Sequence, residues 1–327
     1  MQAADDVGRR CARRRLEVTS GLAVIERNGF MGSTKKYDVL VIGCGLMGSA
    51  LARTLAGRGY SVAAWNRSPE RALALAESGV SPVDSPDEAV PASRICIACT
   101  NNYESTRSAL QPVTDWDTTT LVNLGSGSAD DAEEMARWAG ERGASYLDGF
   151  IGCYPQDIGS PRGMVGVSGP AALWEKHQDV FMSLGAASQH ISDDVRGAGV
   201  LEASMVGTFF IAALSAYVEA ATYVIDQGLS PQALASTAAQ VISLLEAVAP
   251  ETATAIAHDS HETDQATVKT FAEGARATLT TMRAAGYSAR VIGAVVENLD
   301  LAERAGFAEL AFSAQSKVLT NTKPEIE

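Results

Sequence analysis

Residues 37–66 run "YDVLVIGCGLMGSALARTLAGRGYSVAAWN". The stretch 37–43 is β-branched, ends on glycine and reads as a strand. A helix is predicted from about Leu46 to Arg58, and "YSVAAWN" returns as a second strand. Gly43, Gly45 and Gly48, with Leu46 and Met47 between them, are spaced G-x-G-x-x-G at the strand-to-helix turn. In a strand-helix-strand unit this pattern is a dinucleotide fingerprint. Gly43 permits the tight turn, Gly45 lets the backbone approach a pyrophosphate, and Gly48 permits close helix-strand packing. The helix N-terminus then faces the phosphates.

The end of the second strand discriminates between dinucleotides. An acid there would bind the ribose hydroxyls of NAD. The chain instead reads "WNRSPER", with Asn66, Arg67 and Ser68 and no acid before Glu70. Arg67 can pair with a 2'-phosphate and Ser68 can donate a hydrogen bond to it, so the expected cofactor is NADPH. Ser68 also stands where a helix cap belongs, and the two roles are compatible.

Strands and helices go on alternating. "SPERALALAESG" reads as a helix opened by Ser68, with Pro69 at its first position and Gly79 as its stop. Ser85 and Glu88 have capping-box spacing. "RICIACT", "TTLVNLG", "ASYLDGFI", "GMVGVSG" and "AASQHIS" read as further strands. "SADDAEEMARWAGERG" is an amphipathic helix with acids early and a base late, and another helix spans about Pro170 to Ser183. The expected fold class is therefore α/β: a doubly wound, mostly parallel Rossmann domain over 36–194. From 195 to 327 no strand pattern appears. Alanine-rich helices broken at "DQGLSPQ", "VAPET", "AAGYS" and "RAGF" predict an all-helical second domain.

The net charge of −13 and pI near 4.8 argue against nucleic acid as a partner. Five scattered cysteines give no disulfide framework, so a reducing cytoplasm is the expected setting. Cys96 and Cys99 form a CxxC, but three residues along a strand place them on opposite faces. His258 and His261 share a helix spacing. Without a third ligand they make a poor metal site, so no metal is expected. Residues 1–35 are expected to be a disordered extension. Their arginine cluster has no long apolar core behind it, and Met31 opens "MGSTKKYDVLVIGCG", a natural start for the folded part.

The stretch "GAGVLEASMVGTFFIAALSAYV" holds a single charge, Glu202. A buried carboxylate is costly unless something uses it. The uncharged run from Ala203 to Val218 is shorter than the ~20 residues of a membrane span. A buried helix of about 42 Å, from about Gly199 to Asp226, is the expected reading, with no membrane partner. A domain of this size does not easily surround such a helix, so a homodimer is expected to cover it.

Three stretches carry a resemblance beyond the glycine motif: "VNLGSGSADDAEEMARWA", "LDGFIGCYPQDIGSPRGMVGVSGP" and the Glu202 stretch itself. With "VLVIGCGLMGSALARTLAGRGYSVAAWNRSPERA" they resemble the imine reductase and reductive aminase family of the β-hydroxyacid dehydrogenase superfamily. The resemblance implies a Rossmann domain, a long interdomain helix and an all-helical dimerisation domain exchanged between two subunits. It implies hydride transfer from NADPH to an imine or iminium ion, formed where needed from an amine plus a carbonyl compound. The superfamily's dehydrogenases place a lysine early in the long helix, whereas this chain has no lysine between Lys176 and Lys269. Imine reductases place an aspartate or tyrosine there. Counting back from Gly207 assigns that place to Glu202, and counting forward from Gly197 assigns it to Ala203. A carboxyl group at this point can donate a proton or stabilise the cation. At α-helical spacing Val206, Phe209 and Ala213 follow Glu202 on one face; they fit either core packing or, together with Phe210 and Tyr154, a substrate wall. Tyr217 is a further aromatic candidate. Cys99, Thr100, Asn101 and Asn102 follow the fourth strand and Ser126 the fifth, where Rossmann ligands bind. The runner-up readings are a β-hydroxyacid dehydrogenase-like enzyme acting on C=O and a catalytically silent NADP-binding regulator.

Overall fold

Short apolar runs, each closed by a turn, assemble into one eight-stranded sheet in a computed structural model that describes residues 35–319. The strands are β1 Tyr37–Ile42, β2 Val62–Trp65, β3 Ser81–Pro82, β4 Ser93–Ala98, β5 Thr120–Asn123, β6 Ser145–Ile151, β7 Val165–Ser168 and β8 Gln189–Ser192. Their spatial order is β3-β2-β1-β4-β5-β6-β7-β8. All pairings are parallel except β6 with β7. Seven strands answer to the predicted ones; the two-residue β3 has no hydrophobic signature and was not foreseen. The order reverses between β1 and β4, a topological switch point, and ligands of such sheets bind outside the strand ends there. Of the expected extension at 1–35, all but Lys35 lies outside the described residues.

The central strands are apolar throughout because helices cover both faces. The helices of this half are α1 Leu46–Gly57, α2 Pro69–Leu73, α3 Pro86–Ala89, α4 Tyr103–Leu110, α5 Ala129–Gly140 and α6 Ala171–Leu184. On one face Leu51, Leu55, Phe181 and Leu184 pack against Val39, Val41, Ile95 and Ile97. On the other, Leu110, Trp116 and Met135 pack against Leu40, Ile42 and Cys96. Cys96 thus joins one core while Cys99 packs against the opposite one.

Local start signals hold less well. Neither Ser68 nor Ser85 makes a side-chain cap bond, and the expected Ser85–Glu88 box is absent. Glu88 does stand at the third helical position of α3, but this single four-residue turn forms without a side-chain bond from its Ser85 cap. A capping box forms instead at Ser128 and Asp131. The predicted 68–79 helix breaks after Leu73 and resumes as a 3-10 turn, Ala76–Ser78, before Gly79 at φ +79°.

The second half is helical: α7 Arg196–Leu201, a π-helical segment Glu202–Phe210, α8 Ile211–Asp226, α9 Pro231–Ala257, α10 Val268–Ala284 and α11 Arg290–Arg304. Its own core is small, built on Val268, Ala272, Leu299, Ala302 and Ala314. Gly228, Gly286 and Gly306, all at positive φ, end helices where breaks were predicted. Pro250 does not, and lies inside the 27-residue α9. A proline removes one backbone bond there, and the helix-favouring alanines around it carry the chain through.

The expectation that the long helix is buried on all sides fails within one chain. Met205, Phe209, Phe210, Ile211 and Leu214 are exposed, as are Val241, Ile242 and Leu244 on α9. The reason is geometric: α10 and α11 pack chiefly on each other and leave α8 and α9 open. By length and composition the stretches Arg196–Asp226 and Pro231–Ala257 could each cross a membrane. In the first of these, however, both internal carboxylates are committed to protein partners. Glu219 accepts from the backbone of Val291 and Ile292 at 3.3 and 3.4 Å, and Glu202 accepts from Ser126.

Phe181 is fully buried and stacks on Trp174 with ring centroids 5.2 Å apart. Phe181→Ala should cost ~3–5 kcal/mol. Urea unfolding checks this as a lower midpoint with an unchanged slope.

Candidate active site

The glycine turn has the stereochemistry a pyrophosphate site needs. Gly43 sits at φ +97°, and a Cβ there would lie 2.4 Å from the Cys99 carbonyl oxygen. A Cβ on Gly48 would lie 1.9 Å from the Gly43 carbonyl oxygen. Over Gly45 the space is open, with no atom within 4 Å of a Cβ. Gly45 offers no side-chain cap to α1, and the first turn of α1 carries no acid. The N–H groups of the first turn of α1 therefore meet no side-chain cap and no acid of that turn, and can bind an anion. The residues present fit a dinucleotide.

At the end of β2, Asn66 holds the turn in place. Its Oδ1 accepts from the Cys44 amide at 2.9 Å and its Nδ2 donates to the Ser68 carbonyl at 3.0 Å. Arg67 is exposed, and the Ser68 hydroxyl is not spent on a cap. Arg71 was missed from the sequence. Its positive charge lowers the Cys44 thiol against the larger, raising effect of burial, so it lies close to the glycine turn. The available signal was its place one helical turn after Ser68, among residues already chosen for phosphate.

Beyond β4 and β5 the candidates divide. Burial pushes Cys44 up to about 11 and Cys99 up to about 12, so both are thiols and not nucleophiles. The Thr100 hydroxyl donates to the Asn102 carbonyl and meets Thr106, and Asn102 caps α4 by accepting from the Ser105 amide at 2.9 Å. Asn101 is exposed at the rim. Ser126 pairs with Asn102 in an isolated parallel bridge and donates its Oγ to Glu202 Oε1 at 2.7 Å. Glu202, and not the exposed Ala203, makes this contact with the sheet's loops.

The π-helical segment begins at Glu202 itself and corrects the expected side-chain phase. With bonds running from residue i to i+5, Val206, Phe209 and Ala213 no longer repeat on the face of Glu202. Gly207 lies over it instead, with the Glu202 carbonyl 3.5 Å from where its Cβ would be. Phe209, Phe210 and Ala213 are exposed, Val206 is half-buried, and within one chain they form no closed wall. Tyr154 and Tyr217 are exposed as well. His258 and His261 do not share a helix face. His258 ends α9, while His261 is buried against Ser313, with 2.9 Å between Nδ1 and Oγ. A buried acid, Asp148 on β6, was also missed, although an aspartate inside the apolar run "SYLDGFI" was a legible signal.

Comparison with known proteins agrees with this geometry. A family profile for the NAD binding domain of 6-phosphogluconate dehydrogenase matches residues 38–207, and one for the C-terminal domain of NADPH-dependent reductive aminase-like proteins matches 184–321. An NADPH-dependent reductive aminase of Aspergillus oryzae is 28% identical over 171 residues, which cover 52% of this chain and 58% of that protein. An imine reductase from Pseudomonas sp. superposes with TM-score 0.81 at 28% identity, covering 88% of this chain and all of that one. An imine reductase from Myxococcus stipitatus in complex with NADP+ gives TM-score 0.77 at 26% identity, covering 86% of this chain and all of that one. The fold, the glycine turn and a profile spanning just over half of the 327 residues place the chain in the 6-phosphogluconate dehydrogenase-type NAD-binding family, and its helical half is similar to the C-terminal domain of reductive aminase-like proteins.

Proposed function

We propose that this protein is an NADPH-dependent imine reductase that reduces an imine or iminium ion to an amine. The observation that carries the reading is the 2.7 Å bond from Ser126 to Glu202, which fixes an acid beside the ligand crevice of the sheet. The names and cofactors of its relatives support it. So does the missing lysine in 177–268, which leaves the long helix without the base expected for alcohol oxidation.

Bound NADPH supplies the hydride. The chain's own residues do the rest. The α1 N-terminus holds the pyrophosphate, and Arg67, Ser68 and Arg71 hold the 2'-phosphate. Ser126 takes up Glu202 Oε1 and so orients the carboxyl group, which leaves Oε2 for the imine nitrogen. Protonated, this group gives the nitrogen its proton; ionised, it stabilises the iminium cation. A second copy of the chain, with helical domains exchanged, covers the open faces of α8 and α9. Phe209, Phe210 and Ala213 then wall the substrate pocket in the dimer.

Three outcomes test this reading. Glu202→Gln should lower kcat on a cyclic imine such as 1-pyrroline by ~10²–10⁴-fold while NADPH affinity stays put. Wild-type turnover in both Glu202→Gln and Glu202→Ala would remove the acid from the mechanism, and oxidation of a 3-hydroxy acid with no imine turnover would overturn the activity. Arg67→Ala should weaken NADPH by ~10–100-fold, the worth of a charge-assisted bond, and leave NADH unchanged in a fluorescence titration. Sedimentation without detergent should give twice the 34.2 kDa chain mass. A monomer at micromolar concentration would contradict the dimer.

A further inference from the structure

Near the Ser126–Glu202 bond lies a buried carboxyl group with no part in the reaction described above. Asp148 is 1% exposed on β6. Its Oδ1 accepts two phenolic hydrogen bonds, from Tyr146 at 2.6 Å and from Tyr103 at 2.8 Å. Its Oδ2 is buried and has no hydrogen-bond partner among the described residues. Ser168, opposite Asp148 in the β6–β7 pair, has a buried Oγ equally without a partner.

A continuous line of contacts joins this carboxyl group to Glu202. Asp148 holds the hydroxyl of Tyr103, the first residue of α4. The Tyr103 ring lies against Gly127, where a Cβ would come within 2.4 Å of ring carbons. Ser126, next to Gly127 in the chain, pairs with Asn102, next to Tyr103, and donates to Glu202. We propose that Asp148 is a positioning residue for Glu202: through Tyr103 it seats the loop that carries Ser126, and through its charge it sets the field in which Glu202 works.

The electrostatics point the same way. Burial pushes Asp148 up to about 7; the two phenolic bonds and the nearby Asn123 amide work against that rise, and the negative charge of Glu202 adds to it. Burial, then Asp148, and then Glu202 raise the Tyr103 phenol as well. Other charges on the covering elements pair elsewhere: Arg107 of α4 with Glu134 of α5, and Arg196 of α7 with Asp130 of α5. Asp131 serves the capping box of α5, and Glu104 and Glu133 are exposed. Asp148 gains its charge as pH rises through about 7, and that charge opposes any negative charge on Glu202.

The inference rests on Glu202 acting in imine reduction. The test is the pH dependence of kcat for the full-length enzyme with NADPH and 1-pyrroline, between about pH 5 and 9. Asp148→Asn keeps an acceptor for the two phenols and cannot ionise. The wild-type ionisation near pH 7 should vanish from its profile, with NADPH affinity unchanged. Tyr146→Phe keeps the carboxyl group and removes one bond that favours its charged form, so the ionisation should move to higher pH. This variant decides the matter if Asp148→Asn does not fold. A wild-type profile in both variants, or a drop in kcat by one factor at every pH, would overturn the proposal. Wild-type turnover by Glu202→Gln would instead remove the acid and this role with it. A slow Glu202→Gln beside unaltered Asp148→Asn and Tyr146→Phe profiles would overturn the role of Asp148 alone.

Discussion

Three backbone segments stack without side chains between them at the switch point of the sheet, and the site is built from that contact. The end of β1, the end of β4 and the first turn of α1 approach so closely that a Cβ on Gly43 or Gly48 would fall within 2.4 Å of a carbonyl oxygen. The contact fixes where the N-terminus of α1 points. It also fixes the loops that leave β4 and β5, because β4 is hydrogen-bonded in register to β1 and β5 to β4. Ser126 rides on the second of these loops. The phosphate cradle and the proposed acid are therefore set by one rigid frame, although Glu202 lies 76 residues further along the chain than Ser126.

The long helix meets that frame with a change of pitch. α7 packs against β6, β7 and α5 as an ordinary α-helix, and the π-helical segment starts at the residue that touches Ser126. Wide turns of this kind alter which side chains share a face, and they cluster at functional sites because they carry a cost that must be offset. Here the change turns Phe209 and Phe210 outward, toward surface that one chain leaves open. The same helix thus brings an acid to the sheet at one end and leaves an apolar face exposed along the rest.

Most of the architecture was legible beforehand because it rests on local chemistry. Alternating strands and helices, the glycine turn, the helix stops at Gly79, Gly228, Gly286 and Gly306, and the opposed faces of Cys96 and Cys99 all follow from periodicity or from one residue's conformational freedom. The errors share a different cause. Ser85 has box spacing yet makes no cap bond, and α9 continues through Pro250 because its neighbours favour helix; in both cases the surroundings outweighed one residue's preference. Arg71 and Asp148 were overlooked because each matters through a neighbour that sequence spacing does not reveal: Cys44 for the first, Tyr103 and Tyr146 for the second.

By itself the sequence determined a dinucleotide-binding sheet followed by an apolar helical half, since hydrophobic period and glycine stereochemistry act over a few residues at a time. It also supplied one carboxylate in an uncharged helix. Only the tertiary structure decided that Glu202, and not the next residue, faces Ser126, because a one-residue shift on a helix turns a side chain by about a quarter of a turn. The same holds for the buried Tyr103–Asp148–Tyr146 cluster, whose members come from two separate elements and meet only once the sheet has formed.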